Sequence, residues 1–178
     1  MTKCALTPLS SFARVGSYKG ILGRLIRAYK FEHRQHLDRC LARLLADAIS
    51  GKSWASDLEA LVPVPTTRLT RVLRGFHPVG QLATEAARVL ALPVCPAIQV
   101  HRKHHRQTGL TRAQRQANVR EVFHVRPRAA LPAVVCIVDD VSTTGATLRE
   151  IARQLKAAGV ERVYAAALAK TAPDHSGR

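Results

Sequence analysis

Apolar and polar positions alternate along the chain between two periods. Gly20–Phe31 sets Ile21, Leu22, Leu25, Ile26 and Tyr29 at helical spacing, with Arg24, Arg27 and Lys30 assigned to the opposite face. His36–Ile49 repeats the pattern with Leu37, Cys40, Leu41, Leu44, Leu45 and Ile49. Pro78–Leu90 does so with Val79, Leu82, Ala83, Ala86 and Leu90, and Ala146–Ala158 is a further helix stopped by Gly159. Between these lie short runs of strand type: Phe12–Tyr18, Leu61–Pro65, Val94–Val100, Val122–Val125, Val134–Asp139 and Val160–Ala169. Val134–Asp139 is the clearest strand, because it is continuous and rich in β-branched residues.

Strands apolar on both faces, alternating with amphipathic helices, predict an α/β fold with a central, mainly parallel sheet flanked by helices. No internal repeat or low-complexity linker divides the chain, so residues 1–178 are expected to form a single domain, with residues 1–10 as a loose lead-in. His101–Arg120 breaks the pattern. It carries many basic groups and few apolar ones, and is expected to be a mobile loop or a solvated helix.

Composition narrows the choice of function. The 178 residues are 47% hydrophobic, which excludes a disordered chain, but only 4% aromatic, so the core must be built from Leu, Val, Ala and Ile. Lys and Arg number 28 against 12 Asp and Glu, a net charge of +16. That excess points to a polyanion partner, nucleic acid or a phosphorylated metabolite, or to a basic solvated surface. Cys4, Cys40, Cys95 and Cys136 are too scattered for a zinc cluster and are expected to be separate buried thiols. The start lacks the apolar core of a signal peptide, and no stretch reaches the ~18 apolar residues of a membrane helix. A cytoplasmic location is expected.

The chemistry concentrates at Val135–Leu148, VCIVDDVSTTGATL. A buried strand must release Asp139 and Asp140 at its C-terminal end, where open α/β sheets bind ligands. Adjacent carboxylates repel, and are tolerated best beside a cation or several hydroxyl donors. A ribose diol offers the donors. Ser142, Thr143, Thr144, Gly145, Ala146 and Thr147 then open a helix, whose free N–H groups suit a phosphate. Helix capping would account for one of these residues, not for two acids and three threonines around a glycine. The whole suits a ribose 5-phosphate.

This segment resembles the phosphoribosyl diphosphate signature of type I phosphoribosyltransferases. The surrounding chain resembles one branch of them, the ComF (competence protein F / GntX-like) family. The matching segments are Tyr18-Lys19-Gly20, Leu25 to Phe31, Val62-Pro63-Val64-Pro65 and Arg74-Gly75-Phe76, then Arg102, Gln107, Leu110, Arg115, Asn118 and Phe123 ahead of the signature. The resemblance implies the type I phosphoribosyltransferase-like fold. It implies that Asp139 and Asp140 serve as the catalytic acids on the ribose hydroxyls, and that residues 142–147 hold the 5-phosphate. Pro65, Thr66, Thr67 and Arg68, with Arg71 and Arg74, would face the diphosphate. Residues 101–118, with Arg102, Gln107 and Arg115, would form a mobile loop closing over the ligand. Magnesium is expected with the diphosphate, carried by the ligand and shared with Asp139 and Asp140; no protein-only metal site is expected. Many members begin with a Cys-rich zinc segment, which Cys4 alone does not supply, so no zinc is expected.

The family resemblance leaves several roles open. One is an accessory protein that binds phosphoribosyl diphosphate or a similar phosphorylated ribose and assists DNA uptake in natural transformation, with single-stranded DNA and uptake proteins as partners. Another is an active phosphoribosyltransferase acting on an unidentified base or amine. A sensor of phosphoribosyl diphosphate ranks last, since no DNA-reading domain is evident. Two points bear on turnover. Thr143 stands where some relatives carry an acid and cannot act as a base at neutral pH, and no obvious hood of stacking aromatics for a nucleobase is evident, Trp54 and Phe76 being candidates for that role or for the core. Relatives of this fold often pair, which makes a homodimer an open expectation.

Overall fold

The computed structural model describes residues 8–31, 34–65, 77–100, 123–127 and 129–171. In chain order its elements are β1 (Ser11–Ser17), α1 (Gly20–Phe31), a 3-10 turn at Gln35–Leu37, α2 (Asp38–Ser50), a second at Ala55–Asp57, β2 (Ala60–Pro63), α3 (Pro78–Leu90), β3 (Ile98–Val100), β4 (Phe123–Val125), β5 (Val134–Ser142), α4 (Ala146–Ala157) and β6 (Arg162–Lys170). Helix and strand positions follow the periodicity closely, with bounds shifted by a few residues. Val94 contributes an isolated parallel bridge to Leu61 rather than an early start to β3.

Four strands form one parallel sheet in the order β1-β6-β5-β2. The helices that join them cover it, as a parallel sheet requires. β5 and β6 lie in the centre and are buried along nearly their whole length. β6 reads RVYAAALAK, and its run of alanines lets neighbouring elements approach closely. β3 and β4 stand apart as an antiparallel pair, with β4 against α4.

α2 packs on α3 and on β1 and β6. Its buried face is Leu41, Ala42, Leu45, Ala46 and Ile49. The stripe thus lies about one residue round from the one read in the sequence: Leu44 is 37% exposed and Cys40 is on the surface. Of the described thiols only Cys136 is fully buried, which corrects the expectation of buried cysteines. α1 is tied to α3 by the Tyr29 hydroxyl, which donates to the Pro78 carbonyl at 2.8 Å. Trp54 stacks on Tyr164 with centroids 4.3 Å apart. Tyr164 lies beside Cys136 in the register, before the acids of β5, so Trp54 serves the core. Phe76 lies outside the described residues. No helix among the described residues is long and apolar enough to cross a membrane.

Candidate functional site

The site arises where the sheet loses a strand. β2 pairs with β5 only as far as Pro63 beside Val138, and the Val64 N–H then donates to the Val138 carbonyl at 2.9 Å. β5 does not stop there. It continues beside β6 as far as Ser142 beside Lys170. The sequence-based expectation placed the strand's end at Asp139. The strand runs three residues further because β6 supplies a hydrogen-bonding partner on one side while the other side opens. Asp139 and Asp140 therefore sit in the strand, at an edge that faces a cavity of about 190 Å³ lined also by Lys30, Val64, Pro65, Pro78 and Val79.

Asp140 is buried and Asp139 partly buried. Asp140 is only 6% exposed, although it lies near the C-terminal end of the strand. Its carboxylate pairs with the Lys30 ammonium at 2.7 Å, with side chains 8% and 16% exposed respectively. The Asp140 N–H donates to an Asp139 carboxylate oxygen at 2.9 Å. Burial, and then the adjacent Asp140 charge, push the Asp139 carboxyl up to about 7, against the opposing pull of that N–H and of Lys30. Burial and the charges of Asp38, Asp140 and Glu85 also push the Tyr29 phenol up, keeping it a neutral donor.

Lys30 lines this candidate site, although the sequence reading put it on the opposite face. It follows the buried Ile26 by four residues and the buried Gly23 by seven, which places it on the inner side of α1. Grouping charged residues together hid this; the spacing would have revealed it.

Ser142 ends β5 and is buried, and Thr143 and Thr144 are exposed beyond it. Gly145 precedes α4 at φ +74°, a left-handed conformation in which a side chain is strained. Ala146 and Thr147 open the helix. The Thr144 hydroxyl accepts from the Ala146 N–H at 3.3 Å in a local turn, while the N-cap residue is Gly145 and has no side-chain cap hydrogen bond. The N–H groups of Gly145, Thr147 and Leu148 have no acceptor among the described residues. Arg149 folds back over this turn: its guanidinium lies 3.1 Å from where a Cβ on Gly145 would stand. An open row of N–H groups, threonine hydroxyls and one guanidinium is an anion cradle. Arg149 is a second residue the motif reading passed over, since nothing in its spacing shows the fold-back.

Pro65 lines the cavity. Thr66, Thr67, Arg68, Arg71 and Arg74 lie outside the described residues, as do Arg102, Gln107, Leu110, Arg115 and Asn118 with the rest of residues 101–118. No group of three or more His, Cys, Asp and Glu suited to a metal occurs among the described residues. Two adjacent carboxylates, one already paired with an ammonium, fit magnesium only if a ligand's oxygens complete its shell, as is usual for that ion with phosphates.

Two outcomes follow from this geometry. The Asp139 carboxyl keeps its proton in the folded protein up to about pH 7 and loses it near its ordinary value, about 4, when unfolded. Folding then takes up a proton between these values, so this residue's contribution is present below the lower value and is lost as pH rises through the higher. Thermal melts should show Asp139→Asn gaining on wild type from pH 4 to 7, with a constant gap above; a gap flat throughout contradicts the assignment. Secondly, Lys30→Met strands the Asp140 charge and should cost about 3–5 kcal/mol in denaturant unfolding. Lys30→Met with Asp140→Asn should cost clearly less than the sum of the single changes, and strict additivity would show that the pair is not coupled.

Comparison with known proteins places this arrangement. The family model described as "Phosphoribosyl transferase domain" matches residues 79–176, which include the acid pair and the Gly145 turn. The chain is 34% identical over 162 residues to "Competence protein F" of Haemophilus influenzae, covering 88% of this chain and 71% of that one. It is 29% identical over 171 residues to "DNA utilization protein YhgH" of Escherichia coli K12, covering 92% and 74%. Among solved structures it resembles the allosteric regulatory enzyme of purine biosynthesis, with a TM-score of 0.54 at 18% identity. That match covers 80% of this chain but 30% of the other, and it bears on the fold alone. The parallel sheet, the acids at its opened edge and these matches agree: the chain belongs to the phosphoribosyl transferase family, in the branch that includes competence protein F.

Proposed function

We propose that the chain binds phosphoribosyl diphosphate or a closely related phosphorylated ribose at the Asp139–Thr147 site, and that it does so as a cytoplasmic protein assisting DNA uptake. One observation carries the ligand reading. A pair of carboxylates at the opened sheet edge, Asp140 buried and Asp139 partly so, leads within three residues into an anion cradle at the start of α4. Asp139 and Asp140 accept hydrogen bonds from the ribose hydroxyls. The hydroxyls of Thr143, Thr144 and Thr147, the open N–H groups of α4 and the Arg149 guanidinium take the 5-phosphate. Pro65 to Arg68, with Arg74, face the diphosphate, and Arg102, Gln107 and Arg115 belong to the segment that closes over it. Magnesium bound with the diphosphate would neutralise its charge, with Asp139 and Asp140 as the protein carboxylates within its reach. The DNA role is supported by the names of the relatives and by a net charge of +16.

A second reading is favoured by the carboxyl of Asp139. A group pushed up to about 7 is suited to exchange a proton at neutral pH, which Thr143 is not. On this reading the chain is an active phosphoribosyltransferase, and a base or amine accepts the ribosyl group as pyrophosphate leaves.

Asp140→Asn removes a charged acceptor while keeping the side chain's shape. It should weaken binding of phosphoribosyl diphosphate by about tenfold to a hundredfold, the equivalent of about 1.5–3 kcal/mol. Unchanged affinity in a folded variant contradicts the site. Pyrophosphate release by wild type across a panel of bases and amines selects the enzymatic reading; binding without release selects the accessory one.

A further inference from the structure

We infer that the outward face of α1, with the groove beside it, is the surface on which this protein holds single-stranded nucleic acid. Ile21, read from the sequence as part of the apolar face, instead shares one outer stripe with Arg24, Arg27 and Phe31, at spacings of three, three and four residues. All four are exposed, Ile21 by 69% and Phe31 by 60%. An exposed stripe of two guanidinium groups between two large apolar side chains is unusual for a helix whose other face is well buried. Arg24 and Arg27 make no ion pair or hydrogen bond among the described residues. In contrast, Arg43 and Arg88 on α2 and α3 are each paired with a carboxylate on their own helix.

Beside the stripe lies a groove of about 560 Å³. Leu25, Ala28 and Leu37 give it an apolar floor, and Arg24, Arg27 and Arg34 a cationic rim. Its occupant must offer flat apolar groups to the floor and negative charge to the rim. Unpaired bases on a phosphate backbone offer both, and guanidinium planes and a phenylalanine ring also stack on bases. A second copy of this chain would set arginines against arginines. A lipid surface is flat and would leave a concave floor unfilled. A duplex hides its bases from the floor.

This inference rests on the proposed role in DNA handling and adds where the strand lies. The same helix turns Lys30 inward to Asp140, so α1 would bring the nucleic-acid surface and the sugar-phosphate site onto one element.

The test is fluorescence anisotropy of a labelled oligothymidylate over a salt series. It compares wild type with Arg24→Ala/Arg27→Ala and with the control Arg43→Ala/Arg88→Ala, which removes the same charge from other helices. The α1 variant should bind at least about tenfold more weakly. Its slope of log affinity against log salt should fall by about 1.4, since each single-strand phosphate contact contributes about 0.7. The control should match wild type, and Phe31→Ala should weaken the single strand more than a duplex. Equal losses in both double variants would mean diffuse attraction and overturn the inference. So would an α1 variant that binds as wild type does, or one that loses affinity only for phosphatidylserine vesicles. Failure of wild type to bind any oligonucleotide overturns the DNA role itself, whereas binding that survives the α1 changes overturns only the location.

Discussion

Asp139 and Asp140 place two carboxylates in succession on a buried strand that has just lost one neighbour, and the Lys30 ammonium lies 2.7 Å from the second. Asp140 is buried and Asp139 partly buried, so the surrounding chain must compensate for lost hydration. The Lys30 ammonium pairs with the Asp140 carboxylate, and the Asp140 N–H binds Asp139. The residual strain appears as a carboxyl in Asp139 that holds its proton up to about pH 7. β5 can carry such residues because β6 pairs with it up to Ser142 and pins the backbone. The opening at Pro63 then gives the acids a cavity instead of another strand. A ligand with several hydroxyl donors would relieve the same electrostatic demand, which is why the site reads as a sugar site.

Much of this was legible in the sequence. Helix and strand periods differ enough that Gly20–Phe31 and Pro78–Leu90 could be bounded to the residue. The DDVSTTGAT segment marked the candidate site because two acids and three threonines around a glycine exceed what helix capping needs. The misses have physical reasons. The end of β5 depends on β6, which begins some twenty residues later, so local pattern could not set it. Lys30 was grouped with Arg24 and Arg27 because they share a charge, although its spacing from Ile26 and Gly23 sends it inward. The outer stripe of α2 looked apolar because Cys40 and Leu44 count as hydrophobic, yet the helix turns them toward solvent to bury Ala42 and Ala46. Arg149 folds over Gly145, where a Cβ would stand 3.1 Å from its guanidinium, and its spacing does not show this.

α1 links these observations. Its inner side delivers Tyr29 to α3 and Lys30 to the acid pair, and its outer side presents two arginines that are unpaired among the described residues, with apolar neighbours. A helix that both completes the site and offers a basic face has two constraints on its sequence. That accounts for an arrangement in which Lys30 is withdrawn while Ile21 and Phe31 remain in water.

The central claim is that the acids and the α4 turn together recognise a phosphorylated ribose. Calorimetric titration of the wild-type chain, with magnesium, tests it most directly, comparing phosphoribosyl diphosphate with inorganic pyrophosphate. One site per chain should be filled by phosphoribosyl diphosphate, with clearly weaker binding of pyrophosphate, which lacks the diol and the 5-phosphate. Equal affinity for the two, or no heat from either, would contradict the account.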